Sequence, residues 1–265
     1  MIQRQLQTII NDRLFKGKAI ILIGARQVGK STLFSQIAST CNEPILNLNC
    51  DEPEVKEILT DINTPELKAL VGQNKIIIID EAQRVQNIGM TLKRIIDNIP
   101  NVQLLVTGSS SLELHDKINE PLTGRKYEYN LFPISTAELL NTNGLLAVKQ
   151  TLEFRLIYGS YPDILNHSNE AKELLMNIAD SYLYKDLLSL DEIRRPALLE
   201  KILIALALQL GSEVSYNEIA QTVGSDSKTV EKYIDLLSKC YIIFQLNAFS
   251  RNIRNELKKS KKIYF

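Results

Sequence analysis

The chain has 265 residues, and its 31 Lys and Arg balance 31 Asp and Glu to give a formal net charge of zero. This length allows a sizeable core and more than one domain, and an apolar content of 45% excludes a disordered chain. The balance excludes a basic field over the whole surface, although residues 251–262 hold six basic residues and one acid.

The cysteines and the N-terminal segment exclude further classes of protein. Cys41, Cys50 and Cys240 are far apart and lack CxxC spacing, which argues against a disulfide framework or a zinc site. The first 18 residues are amphipathic and polar, unlike a signal peptide. No apolar run approaches the roughly 18 residues that a membrane span requires. We therefore expect a soluble, cytoplasmic protein that does not act on membranes.

The first predicted elements lead into a glycine loop. Residues 5–14 place apolar side chains on one helical face, and residues 19–23, AIILI, are typical of a buried parallel strand. Residues 24–31, GARQVGKS, have the phosphate-loop spacing of a glycine, four variable residues and then Gly-Lys-Ser. Residues 32–38 have helical periodicity. A plain glycine turn is the alternative, but the eight-position pattern and both flanking elements favour a phosphate loop.

Each residue type in this loop has a physical role in holding a triphosphate. Gly24 and Gly29 let the backbone approach the phosphates without a Cβ in the way, and the N–H groups of the loop converge on an anion. Lys30 supplies a compact charge for the β and γ phosphates, and the Ser31 hydroxyl can ligate Mg²⁺. The predicted nucleotide-binding residues are Gly24, Ala25, Arg26, Gln27, Val28, Gly29, Lys30, Ser31 and Thr32.

The next strong signal is a strand that ends in two acids. A second strand is predicted at residues 44–50 and two short helices within residues 54–71, before KIIIIDEAQ at residues 75–83. Four consecutive isoleucines favour a central strand covered on both faces. The acids then fall at the sheet edge where open α/β folds bind ligands. We expect Asp80 to hold Mg²⁺ through water and Glu81 to activate the attacking water; an acidic strand-end turn is the alternative.

Three later residues are candidates for the γ-phosphate side of the site. Residues 89–99 predict a helix and residues 103–107 a buried strand, which Gly-Ser-Ser-Ser follows. Thr107 or Ser109 could contact the γ-phosphate or the lytic water, and the serines could also cap the next helix. Arg125 precedes another predicted strand. It could neutralise transition-state charge in its own chain or in a neighbouring subunit, or form a surface ion pair.

Together these motifs carry a family resemblance. The order GARQVGKS, IIIIDEAQ, LLVTGSSS and LTGR between residues 20 and 133, followed by LFPIS, resembles AAA+-type ATPases of prokaryotes. Members of that family join a nucleotide-binding core to a winged-helix segment and then to a nuclease-like C-terminal domain. The resemblance implies ATP as the nucleotide and a functional Arg125, and it continues through Tyr161-Pro-Asp163. It allows an oligomer, but no second arginine sensor follows residue 133, which puts the usual AAA+ coupling between subunits in doubt.

The remaining sequence predicts a helical region and a winged helix-turn-helix. Residues 134–190 have helical patterns and are similar to the lid of related ATPases, with a plain connector as the alternative. Residues 197–249 have the order helix, helix, glycine turn, helix and strand. This module could bind DNA or an unknown protein partner. The basic candidates for DNA phosphates are Lys228, Lys232, Arg251, Arg254, Lys258, Lys259, Lys261 and Lys262.

We therefore predict an α/β fold with a P-loop NTPase three-layer α/β/α parallel sheet in residues 1–133. A helical lid in residues 134–190 and a winged helix-turn-helix in residues 191–265 follow it. The strand-like KKIYF at residues 261–265 is expected to begin a further C-terminal region of a longer protein. Two functions stay open: Mg²⁺-dependent ATP hydrolysis coupled to the winged helix, or a nucleotide-dependent switch or protein-binding module with little or no turnover.

Overall fold

The computed structural model describes residues 2–108, 118, 121–180, 193, 195–249 and 260–265. The chain forms two compact units, Met1–Met176 and Asn177–Phe265. Across the described ranges, no helix has both the length and the apolar character needed to cross a membrane.

The first unit is built on a parallel sheet. Its described strands are β1 Ala19–Ile23, β2 Ile45–Asn49, β3 Ile76–Asp80, β4 Gln103–Gly108 and β5 Lys126–Asn130. They form one five-stranded sheet in the order β2-β3-β4-β1-β5, and every neighbouring pair is parallel. This order places β4 between the strand that precedes the phosphate loop and the strand that ends in the two acids.

Burial of the strands explains why their sequences differ. Every residue of β1 and β4 is buried, and so are the four isoleucines of β3. Parallel strands in the middle of a sheet are covered on both faces, which selects continuous apolar runs. The edge strands β2 and β5 have polar residues between their apolar or aromatic ones and keep partly exposed residues. The predicted P-loop NTPase sheet is therefore confirmed.

Helices connect these strands and follow them. In the described residues they are α1 Gln5–Asn11, α2 Lys30–Thr40, α3 Pro53–Leu59, α4 Thr64–Val71, α5 Ile88–Asn98, α6 Thr136–Gln150, α7 Leu152–Tyr158, α8 Pro162–Asn166 and α9 Ala171–Ala179. Ser135 starts α6 with a capping box, because its side chain accepts from the N–H of Glu138 while that glutamate accepts from the N–H of Ser135. Gly144, at φ 77°, interrupts the helical backbone of α6. Residues 181–190, the last part of the helical region predicted at residues 134–190, lie outside the described residues.

The second unit combines three helices with a small antiparallel sheet, in the part of it that the structure describes. Its elements are α10 Pro196–Leu208, β6 Glu213–Val214, α11 Tyr216–Val223, α12 Ser227–Lys239, β7 Phe244–Leu246 and β8 Lys261–Tyr264. Side chains of Ser215 and Asp226 cap α11 and α12, and Gly224 makes the turn between them at φ 69°. The sheet order is β6-β8-β7, so this unit is winged-helix-like. The strand-like segment at residues 261–265 contains β8, which pairs with β6 and β7 in this sheet.

Burial in β3 leads to a stability prediction. Ile77→Ala removes a fully buried side chain from a central strand, whereas Ile58→Ala removes one that is 48% exposed on α3. We expect the first change to cost about 2–5 kcal/mol, because it leaves a cavity, and the second to cost far less. Thermal and chemical denaturation of both variants checks this. Equal losses would contradict the assignment of β3 to the core.

Candidate functional site

The candidate site lies at the carboxyl edge of the parallel sheet. The phosphate loop follows Ile23 at the end of β1, Asp80 is the last residue of β3, and Thr107 is the next to last of β4. Ile23 is in register with Gly108, the last residue of β4. Because parallel strands end on the same side, the loop and the acids share one edge.

The loop backbone has a shape that glycine permits. A Cβ on Gly24 would lie 2.2 Å from the carbonyl oxygen of Leu131, so a larger residue cannot enter without moving backbone. Gly29 has φ 93°, a left-handed conformation that side chains disfavour. It also precedes α2 without a side-chain cap, which leaves the first N–H groups of α2 for an anion.

Lys30 lies within the loop and beside the acids. Its Nζ donates hydrogen bonds to the carbonyl oxygens of Gly24 at 2.9 Å and Ala25 at 2.8 Å, and the residue is 5% exposed. Burial lowers the pKa of Lys30, while the negative charges of Glu81 and Asp80 oppose that shift. The Lys30 ammonium is therefore partly removed from water, and a bound anion would stabilise its charge.

A chain of hydrogen bonds joins the loop to both acids. The Ser31 hydroxyl donates to Oδ2 of Asp80 at 2.7 Å, and the Thr107 hydroxyl donates to the other carboxylate oxygen, Oδ1. The backbone N–H of Glu81 in turn donates to Oγ1 of Thr107 at 3.2 Å. Thr107 is fully buried, and through these two hydrogen bonds it fixes the positions of Asp80 and Glu81.

The Glu81 side chain is held by a neighbour in its own turn. Glu81 has a left-handed backbone, φ 52° and ψ 43°, and precedes the short 3₁₀ turn Ala82–Arg84. The side-chain amide of the buried Gln83 donates to Oε2 of Glu81. One oxygen of the predicted base is thus engaged by a protein donor.

A cavity of about 320 Å³ opens at this edge. Its lining residues are Gln27, Gly29, Lys30, Ser31, Thr32, Glu81, Pro162, Asp163 and Asn166. Five of the predicted nucleotide-binding residues and the predicted base therefore line one cavity, together with the short helix α8. Within the loop, Ala25 and Val28 are buried and Arg26 is half-buried, so their side chains pack around the loop.

The structure does not bring Arg125 to this site. Arg125 precedes β5, whose first residue is in register with Ala19, the first of β1, so it lies at the amino edge of the sheet. There its Nε forms an ion pair with Asp97 at 2.8 Å, and the side chain is 40% exposed. Ser109, the other candidate next to β4, lies outside the described residues.

Sequence reasoning missed several residues that build the site. They are Arg4, Gln83, Glu138, Pro162, Asp163 and Asn166. Ser135-x-x-Glu138 has capping-box spacing, so Glu138 could have been found as a helix cap. No local pattern marks Arg4, whose guanidinium donates to the carbonyl oxygen of Val28 in the loop at 2.9 Å.

Comparison with known families assigns this part of the chain. Residues 16–140 match the family model of an AAA domain, AAA_14. These residues form an AAA domain. The predicted resemblance to AAA+-type ATPases is confirmed, and the AAA domain holds the phosphate loop and both acids. Residues 149–265 match a domain of unknown function, DUF8612.

Curated relatives align with most of the chain. An uncharacterized protein of Haemophilus influenzae is 25% identical over 268 residues, which cover 92% of this chain and 66% of that protein. An uncharacterized protein of Mycobacterium tuberculosis is 27% identical, with 99% of this chain and 57% of that protein covered. The chain thus spans about three-fifths of the length of such relatives.

Two solved structures align over nearly the whole chain. The Aeropyrum pernix ORC1 protein in complex with DNA has a TM-score of 0.42 and 15% identity, covering 100% of this chain and 89% of that one. The Thermotoga maritima RuvB Holliday junction branch migration motor has a TM-score of 0.41 and 16% identity, covering 97% and 95%. Similarity at this level adds nothing to the AAA domain assignment.

The acids at this edge lead to a prediction about cysteine reactivity. The N–H of Cys50 donates to the carbonyl oxygen of Asp80 at 3.0 Å, and burial, then the charges of Asp80, Asp51 and Glu81, raises the pKa of Cys50 to about 12. At pH 8 its thiol stays protonated and unreactive. We expect a disulfide reagent such as DTNB to modify the half-buried Cys41 of the native protein and to spare Cys50.

Mass spectrometry of the labelled peptides measures this difference, and Cys41→Ser serves as the matched control that removes the accessible thiol. Rapid labelling of Cys50 in the native protein would contradict the buried, acid-lined position described here. Denatured protein should label at all three cysteines.

Proposed function

We propose that this chain binds Mg²⁺-ATP at the carboxyl edge of its parallel sheet and hydrolyses it. The observation that carries the proposal is the joining of the phosphate loop to the acidic strand end, through the Ser31–Asp80 hydrogen bond. Lys30 and Glu81 line the same cavity as Ser31. An ammonium, a hydroxyl and two carboxylates around an amide-rich loop form a set of groups suited to phosphoryl transfer.

The donor set fits Mg²⁺ bound together with phosphates. The Ser31 hydroxyl donates to Oδ2 of Asp80 at 2.7 Å and keeps an oxygen lone pair for Mg²⁺, while Asp80 beside it could accept from a water of the ion's shell. Among the described residues no cluster of three or more His, Cys, Asp or Glu could hold a metal by itself. Mg²⁺ commonly takes one or two protein oxygens and completes its shell with phosphates and water. When bound, it would neutralise charge on the phosphate oxygens.

Lys30 and the loop amides would hold the phosphates. The ammonium donates to two loop carbonyls, Gly24 and Ala25, and we propose that it exchanges these bonds for bonds to phosphate oxygens. A charged donor gains more from an anionic acceptor than from a neutral carbonyl. The uncapped N-terminus of α2 adds further donors and the positive end of its dipole.

Glu81 is the proposed general base. Its carboxylate lines the cavity, and Gln83 occupies only one of its two oxygens, which leaves the other to accept a proton from water. The same contact supports the second function, a nucleotide-dependent switch with slow turnover, because a base that keeps its Gln83 bond is a weaker proton acceptor. In either case we propose that residues 134–190 act as the predicted lid and that the winged-helix-like unit is the output.

Lys30→Ala tests the nucleotide site. This variant should abolish or severely weaken ATP binding without unfolding the protein, whereas Lys68→Ala, at an exposed lysine of α4, should leave binding unchanged. The measurement is equilibrium ATP binding.

Glu81→Gln separates the two functions. This variant should bind ATP normally and release phosphate about 10²-fold more slowly, since general-base catalysis typically contributes at least that factor. The measurement is steady-state phosphate release.

If Lys30→Ala binds ATP as tightly as the wild type, the nucleotide site is wrongly assigned. Wild-type phosphate release no faster than that of Glu81→Gln, with ATP bound by both, would favour the switch over the ATPase.

DNA contact by the winged-helix-like unit is a separate proposal. The surface of α12 carries Lys228, Lys232 and Lys239 beside Glu231 and Asp235, and a shallow groove of about 300 Å³ runs along it. The lysines could neutralise phosphates, while the acids suit a protein partner equally well. Arg251, Arg254, Lys258 and Lys259 lie outside the described residues.

Salt dependence tests the DNA proposal. We expect ATP-dependent mobility shifts to weaken as salt rises. In Lys228→Ala/Lys232→Ala the negative slope of log affinity against log salt should become less steep by about two. Lys201→Ala, at an exposed lysine of α10, is the matched control. Affinity that does not fall with salt would exclude phosphate contacts and favour a protein partner.

A further inference from the structure

Arg4 is a buried cation with three partners in three separate segments. Its side chain lies just before α1, and the residue is only 7% exposed. Nη1 donates to the carbonyl oxygen of Val28 in the phosphate loop at 2.9 Å, and Nε donates to Oε1 of Glu138 at 3.1 Å. The remaining nitrogen, Nη2, donates to the carbonyl oxygen of Phe132, between β5 and α6. One guanidinium therefore spans the loop, the β5–α6 connection and the first turn of α6.

The contact with Val28 sets the direction of the next amide. In a planar trans peptide the C=O and the N–H that share the bond point in opposite directions. Arg4 holds the carbonyl of Val28, so the N–H of Gly29 is turned away from Arg4. Gly29 lines the nucleotide cavity, and a Cβ there would lie 4.0 Å from both Nη1 of Arg4 and Cγ of Pro162. The guanidinium therefore lies against the loop at Gly29, the residue whose N–H is the first of the proposed anion site.

Glu138 keeps the guanidinium in a fixed position. The residue is 5% exposed, and its carboxylate accepts from the backbone N–H of Gln5 at 2.9 Å and of Ser135 at 2.8 Å in addition to Arg4. Burial alone would raise the pKa of Glu138, but those backbone hydrogen bonds, followed by the charge and hydrogen bond of Arg4, lower it overall. The anchor is thus an ionised carboxylate held by the first turn of α6.

We propose that Arg4 is a positioning residue for the nucleotide: it presets the phosphate loop so that the Gly29 amide faces the bound phosphates. The inference rests on the proposed nucleotide site. A loop held in its binding conformation loses less conformational freedom when the anion arrives. Without Arg4 the Val28–Gly29 peptide can rotate, and part of the binding energy is spent on ordering it. Arg4 itself does not touch the nucleotide.

The deciding variant is the double change Arg4→Met/Glu138→Gln. Glu138→Gln keeps a capping-box oxygen for the N–H of Ser135, and it removes the buried carboxylate charge that Arg4→Met alone would leave unpaired. We expect this variant to stay folded with a lowered melting temperature, because the carbonyls of Val28 and Phe132 lose their donor, and to bind Mg²⁺-ATP about ten- to a hundredfold more weakly. In phosphate release, KM should rise by a similar factor while kcat is retained, because only the binding of the phosphates is affected.

Two further variants separate loop positioning from general destabilisation. Arg4→Lys should have intermediate ATP affinity, because a single ammonium lacks the fork that meets all three partners. Ser135→Ala removes the cap of α6 without touching the loop, so it should lower the melting temperature and leave ATP affinity unchanged.

Wild-type affinity in folded Arg4→Met/Glu138→Gln or in folded Arg4→Lys overturns the inference while the nucleotide site stands. A wild type that fails to bind Mg²⁺-ATP overturns the proposed function, and the inference with it.

Discussion

The parallel direction of the strands is the constraint on which the site depends. Because β1, β3 and β4 run the same way, the loop after Ile23, the acid at Asp80 and the hydroxyl of Thr107 all reach one edge of the sheet. Residues that are far apart in the sequence thereby lie side by side. The Ser31–Asp80 hydrogen bond is the most direct expression of that meeting, since it joins the phosphate loop to the acidic strand end.

Residues around the loop and the acids then give the edge its fixed geometry. Thr107 orients both acids from a fully buried position, and Gln83 engages one oxygen of Glu81. Arg4 holds the loop through a hydrogen bond to the carbonyl oxygen of Val28. Buried polar groups of this kind hold reactive side chains still, which matters because small displacements weaken both anion binding and proton transfer.

The central strands and the loop could be predicted from sequence because their constraints are local and strong. A fully buried parallel strand selects a run such as the four isoleucines of β3, and a phosphate loop needs glycines at fixed spacing. The Arg4–Glu138 pair could not be predicted, because its partners are 134 residues apart: capping-box spacing marks Glu138 only as a helix cap, and no local pattern marks Arg4. Arg125 illustrates the converse: its position before a strand and the family resemblance suggested a role, but the register of β5 puts it at the amino edge, in the surface ion pair that was the alternative.

A crystal structure of the protein with Mg²⁺ and a non-hydrolysable ATP analogue tests the central claim most directly. We predict that Nζ of Lys30 exchanges the carbonyls of Gly24 and Ala25 for oxygens of the β and γ phosphates. We also predict Mg²⁺ about 2.1 Å from the Ser31 hydroxyl, with Asp80 across a bound water. A nucleotide bound away from the loop, or phosphates that contact neither Lys30 nor the Mg²⁺ held beside Asp80, would contradict that claim.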